Sequence, residues 1–196
     1  MLIEQFLPLW AFIVLMVGTP GPANLLVMSA GAQVGLRASL PFILGLIGGK
    51  LLLNLAMVFG LGALLGRYPT LGSIFAWVSA GYMSWLALRG WYAQPNSDHA
   101  TPVLGLRQGL LVHPLNPKAW VMTTLAFSQF GTGFNDVFQS YALIPLSFAV
   151  AQLLLHSAWC VAGAVLRKSM GSGVVLNRSL ILLTIATVIW ALLWPF

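Results

Sequence analysis

Charge is what this sequence has least of. Only 6% of its 196 residues are Asp, Glu, Lys or Arg, against about a quarter in soluble domains, so most of its surface must face something other than water. Carboxylates are the scarcest: Glu4, Asp98 and Asp136 are the three acids of the chain. Cysteine is reduced to Cys160, inside an apolar segment, which excludes an intrachain disulfide, a thiolate metal site and a two-cysteine thiol carrier. There is no His-Glu-x-x-His pattern for a metalloprotease. Ser97-Asp98-His99 holds triad residue types, but consecutive loop residues do not point at one another. The scarcity of carboxylates and of paired His or Cys disfavours a metal-cation cargo. No metal site and no cofactor are expected, and the chain is not read as an enzyme.

What is abundant is apolar: 59% of the chain. Apolar segments run over residues 6–32, 40–65, 71–88, 110–130, 141–166 and 180–194. A span needs about 20 such residues, so the length holds about six spans and leaves none for a second folded domain. The predicted fold is an all-α integral membrane protein, residues 1–196 forming one transmembrane domain. The opening run carries Glu4 where a signal peptide has positive charge, and it continues past a Thr-Pro-Gly-Pro break; it reads as the first span. The net charge of +6 is scattered and forms no stripe, so nucleic acid is not an expected partner. Lipid and a small-molecule substrate are, and a homo-oligomer is left open. Trp10, Trp77, Trp85, Trp91, Trp190 and Trp194 lie mostly near segment ends, as interfacial anchors do.

Only the connection over 89–109 is long, and it divides the segments into two sets of three. Arg37, Arg89, Arg107, Arg167, Lys168 and Arg178 fall on alternate connections, whereas the other side has Arg67 alone. The positive-inside rule then places both termini outside the cytoplasm. Three spans per half make the halves, about 1–92 and 106–196, enter from opposite sides, the condition for an inverted repeat. Two segments are internally broken: Gly18-Thr19-Pro20-Gly21-Pro22-Ala23-Asn24 interrupts the first, and His113-Pro114-Leu115-Asn116-Pro117-Lys118 the fourth. Proline removes a backbone donor and frees neighbouring carbonyls, which in lipid is tolerated only against protein or a wet cavity. Interrupted helices in matching positions of two halves point to a transporter's substrate site.

At these residues the sequence resembles the lysine exporter (LysE/RhtB) family of amino-acid exporters. The resemblance rests on Pro20-Gly21-Pro22 with Asn24-Leu25-Leu26, on Gly31, Gly35 and Arg37, on Gly60-Leu61-Gly62-Ala63-Leu64-Leu65, on Gly81-Tyr82, and on Asn116-Pro117-Lys118-Ala119 preceded by Gly105 and Gly109. His113-Pro114 and Lys50 depart from the family pattern. The resemblance implies export of small amino acids or related metabolites from the cytoplasm, driven by the proton gradient. The alternatives are a metal-cation exporter and, from another class, a redox or enzymatic membrane protein on a similar scaffold.

A zwitterion crossing a bilayer needs donors for its carboxylate and acceptors for its ammonium, and broken half-helices offer free amides and freed carbonyls. The expected substrate-binding residues are Pro20, Gly21, Pro22, Asn24, Lys50, Asn54, Asn116, Pro117 and Lys118. Lys50 lies mid-segment, where insertion costs on the order of 3 kcal/mol. It is expected to meet the substrate carboxylate in a cavity, to carry the coupled proton, or to snorkel to the surface. Asn54 follows one turn later, and Gln152 and His156 repeat that spacing in the fifth segment. His113 and His156 join Lys50 as proton-coupling candidates; for His156 a packed, hydrogen-bonded histidine is the plainer alternative. Asn116 is placed to cap a half-helix beginning at Pro117. Gly45 and Gly49 have helix-packing spacing. Lys50, Asn24, Asn116 and His113 are expected to converge on one polar cavity.

Overall fold

Helix begins and stops in this chain where proline and glycine dictate. A computed structural model describes residues 2–92, 104–131, 137–170 and 173–193. Among the described residues there are eight helices: α1 (Leu2–Gly18), α2 (Pro22–Val58), α3 (Leu61–Arg67), α4 (Pro69–Leu88), α5 (Leu106–Val112), α6 (Pro117–Phe130), α7 (Val137–Met170) and α8 (Gly173–Leu193). Prolines at the first turns of α2 and α6 lose no bond there, because first-turn amides have no intrahelical acceptor. Four helices are long and apolar enough to cross a membrane, within α2, α4, α7 and α8, and the apolar part of α1, Phe6–Gly18, is shorter. The two expected interruptions are present as the gaps between α1 and α2 and between α5 and α6.

The expected connection over 33–39 shrinks to one residue. Gly35 has φ 75° and ψ 176° inside α2, a backbone conformation open to glycine and rarely to residues with a Cβ. A uniform helix of 37 residues would be about 55 Å long, well beyond a hydrocarbon core of about 30 Å. Instead Ala23, Leu26, Val27 and Ala30 before the kink share one buried cluster with Phe42, Ile43 and Leu46 after it. The second expected segment ends early, at Val58, and α3 follows. The expected connection over 167–179 is nearly lost, since α7 runs to Met170 and α8 starts at Gly173. The loop residues Ser97, Asp98 and His99, and Asp136, lie outside the described residues.

Close backbone approach makes α2 the hub. A Cβ on Gly31 would overlap the Cys160 carbonyl, and one on Gly163 the Met28 carbonyl, so α2 and α7 interlock through paired glycines. Gly45 and Gly49 sit in the same way against Leu106, Gly109 and Leu110 of α5. At one end, three Arg-bearing connections meet. Arg167 donates to the carbonyls of Ala32 and Gln33 at 3.1 Å, and the Asn177 amide donates to Gly90 O at 2.7 Å. The Arg178 guanidinium lies 5.2 Å from the Trp91 ring. A buried polar knot ties the same place: Ser29 Oγ donates to Asn177 Oδ1 at 2.7 Å, and Gln33 Nε2 donates to both at 3.0 Å.

Candidate translocation site

The last carbonyls of α1 have no intrahelical donors, yet each from Leu15 to Pro20 is satisfied. Thr19 N reaches Leu15 O at 3.0 Å and Thr19 Oγ1 donates to Met16 O at 3.1 Å. Asn24 Nδ2, from the start of α2, donates to Val17 O at 2.7 Å and Thr19 O at 2.9 Å. Trp159 Nε1 takes Gly18 O at 3.2 Å. Lys118 Nζ crosses from the second break to Thr19 O at 2.9 Å, Thr19 Oγ1 at 2.8 Å and Pro20 O at 3.4 Å. The two interruptions are therefore fastened to each other by a lysine. The carbonyls at the first break that were expected to be free for an ammonium each hold an intramolecular donor.

At the second break Asn116 caps α6, its Oδ1 accepting from Lys118 N at 3.1 Å. Trp120 Nε1 covers Pro114 O at 2.7 Å. Between the breaks lies a cavity of about 20 Å³, walled by Gly21, Asn24, His113, Asn116, Lys118, Gln152 and His156 together with apolar neighbours. That is room for about one water, so the space is too small for an amino acid as it stands. Asn24 Oδ1 meets His156 Nδ1 at 3.0 Å. Because Asn24 Nδ2 already donates twice, its oxygen is the acceptor, and the hydrogen lies on His156 Nδ1. His113 stacks on His156 with centroids 5.8 Å apart. Five side-chain atoms in this wall are buried without a partner: both nitrogens of His113, His156 Nε2, and the oxygen and nitrogen of the Gln152 amide. At roughly 1–3 kcal/mol each, leaving them dry would cost on the order of 10 kcal/mol, comparable to the whole stability of a domain.

A larger cavity of about 470 Å³ adjoins it, lined by Thr19, Pro20, Gly21, Pro22 and Lys118 with Trp190 and other apolar side chains of α6 and α8. Gly21 and Lys118 border both spaces. Met16 borders both as well, and a Cβ on Gly21 would stand 3.0 Å from Lys118 Cδ, so the lysine packs on the glycine within the partition between them.

Lys50 does not join this cavity and does not snorkel. Its side chain is fully buried, with Nζ donating to Thr123 Oγ1 at 2.6 Å and Ala119 O at 3.2 Å and lying 3.9 Å from the centre of the Phe148 ring. Asn54, also fully buried, leaves both amide atoms unpartnered but lines neither cavity. Pro117 opens α6 and lines neither. Thr19 and Thr123, which hold the two lysines, were not singled out from sequence. Thr19 could have been, since it stands inside the break; Thr123 is one threonine of an apolar helix without any local signal. Among the described residues no three His, Cys, Asp or Glu side chains gather as metal ligands.

The LysE type translocator family matches residues 13–193. A membrane protein of Vibrio cholerae named as uncharacterized is 24% identical over 165 residues, 81% of this chain and 80% of the relative. Proteins of Salmonella choleraesuis and Salmonella typhimurium, each named a cysteine/O-acetylserine efflux protein, are 25% identical over 173 residues, 86% of each chain. No solved structure matches the chain.

Proposed function

Because the chain belongs to the LysE type translocator family, we propose that it is a secondary transporter that exports small amino acids or related metabolites from the cytoplasm, coupled to protons. The observation that carries this reading is the small cavity between two proline-broken helices, with the partnerless polar atoms of His113, Gln152 and His156 in its wall. Groups so costly to bury are kept where water, a proton or a substrate supplies the missing partner. The cargo named for the Salmonella relatives, cysteine and O-acetylserine, has the size and chemistry assigned here.

In this reading six spans form two inverted repeats, about 1–92 and 106–196, in a bacterial inner membrane with both termini outside. The meeting of Arg167, Arg178 and the Gly90 turn with the Gly35 kink at one end supports a shared cytoplasmic side for those connections. The inner cavity binds substrate through Gly21, Asn24, Asn116 and Lys118, and Pro20, Pro22 and Pro117 shape the breaks. Substrate passes between the two cavities when Lys118 releases Thr19 and Pro20. His113 and His156 carry the proton, with Lys50 and Asn54 as a second buried polar station beside the path.

The test is efflux of preloaded labelled amino acids from proteoliposomes, with and without a pH gradient, for the natural chain and Lys50→Ala. Gradient-dependent loss of a small amino acid that Lys50→Ala abolishes supports coupled export through Lys50. Folded protein that moves no amino acid under any gradient overturns the assignment.

A further inference from the structure

The groups left over after the protein has satisfied itself say which charge the cavity can receive. On the acceptor side the carbonyls from Leu15 to Pro20 each already hold a donor from Thr19, Asn24, Trp159 or Lys118, and the partnerless acceptors of the wall, the Gln152 oxygen and one ring nitrogen of each histidine, carry no negative charge. No carboxylate is near in sequence either: residues 5–97, 99–135 and 137–196 contain no acid. On the donor side, α2 begins at Gly21 without any side-chain cap, so the first-turn amides of Ala23 and Asn24 have no intrahelical acceptor, and both residues line the cavity. The buried Gln152 amide, both nitrogens of His113 and His156 Nε2, partnerless at the same wall, add hydrogen-bonding groups of no fixed charge. Lys118, although its Nζ already donates to Thr19 and Pro20, is the one lysine or arginine among the described residues of the wall and brings its charge there.

We propose that this cavity, with an open helix start, Lys118 and unpaired Gln152, His113 and His156 in its wall, selects solutes that carry a carboxylate and no net positive charge. The carboxylate lies against the α2 first turn and Lys118, and Gln152 and the imidazoles take the neutral remainder of the solute. A side-chain ammonium would enter beside Lys118 with no carboxylate among the described residues of the wall to offset it. This rule rests on the export reading and narrows it, since nothing in that reading separates neutral from basic amino acids.

The experiment uses four-carbon 2-amino acids that differ at the side-chain end: 2-aminobutyrate, asparagine, aspartate and 2,4-diaminobutyrate. Each is preloaded at neutral pH into proteoliposomes holding the full chain, and initial efflux is compared. With a second ammonium about 7 Å from that of Lys118 at an effective dielectric constant near 20, 2,4-diaminobutyrate should leave roughly 50-fold more slowly than asparagine. In Lys118→Gln absolute rates fall, but the asparagine-to-diaminobutyrate ratio should collapse toward one; in Lys118→Arg it should be kept. Diaminobutyrate leaving the natural chain as fast as asparagine overturns the charge rule and leaves the export reading standing. A ratio unchanged in folded Lys118→Gln overturns the assignment of selectivity to this cation. Movement of none of the four brings down the export reading, and the rule with it.

Discussion

Asn24 joins the end of α1, the start of α2 and His156 in the middle of α7, and replacing it with the near-isosteric Leu isolates those bonds from packing. Three hydrogen bonds disappear, to Val17 O, Thr19 O and His156 Nδ1. Thr19 O keeps Lys118 Nζ at 2.9 Å and is not orphaned. Val17 O and the His156 Nδ1 hydrogen are left buried and unpaired, which at roughly 1–3 kcal/mol each predicts a loss of about 2–6 kcal/mol. The assay is reversible unfolding in mixed micelles by denaturing detergent, followed by tryptophan fluorescence. Asn24→Asp separates the two directions of bonding, since a carboxylate still accepts from His156 but cannot donate to the carbonyls, so it should be destabilised too. An Asn24→Leu protein within about 1 kcal/mol of the natural chain would refute the argument, because two buried groups left unpaired should cost at least about 2 kcal/mol.

Gly31→Ala drives a methyl into the Cys160 carbonyl and should destabilise by at least about 2 kcal/mol. Gly81→Ala in α4, where a Cβ meets nothing within 4 Å, should stabilise by about 0.5–1 kcal/mol; both are read in the same unfolding assay. Lys50→Met leaves no orphan, because Thr123 Oγ1 already donates to Ala119 O at 2.7 Å. Stability should therefore hold within about 1 kcal/mol, whereas gradient-driven efflux fails and substrate exchange without a gradient survives; equal loss of both assays would remove Lys50 from coupling. For orientation, the natural thiol of Cys160 is fully buried and gives no background. In intact cells an impermeant maleimide should label Arg67→Cys and reach Arg37→Cys only after permeabilisation, and the reverse pattern would invert the topology.

The membrane class and both helix interruptions were legible because proline, apolar length and scarce charge act locally. Gly18-Thr19-Pro20-Gly21-Pro22 cannot continue a helix in any setting, and neither can His113-Pro114 followed by Asn116-Pro117. The cap at Asn116 was readable for the same reason. What lay beyond reach was mutual satisfaction across the chain. Nothing near residue 118 says that its ammonium ends on Thr19, so the freed carbonyls looked available when they are occupied. The kink at Gly35 was read as a seven-residue connection, since polar residues mark the end of a span without saying how sharply a glycine lets the chain turn. Lys50 was singled out as a mid-segment cation, but its direction depends on Thr123 and Phe148, which no spacing rule brings together.

The bonds that close the first break also impose an order on biogenesis. When α1 and α2 leave the ribosome, Asn24 is at hand to cover Val17 O and Thr19 O, but Pro20 O waits for Lys118, made 98 residues later, and Gly18 O for Trp159, made 141 residues later. Until the second half arrives, the opening hairpin must keep these carbonyls wet at the interface or sheltered by the insertion machinery. The first half is thus a provisional guest in the bilayer, and translation stopped after α4 should leave it exposed to membrane quality-control proteases.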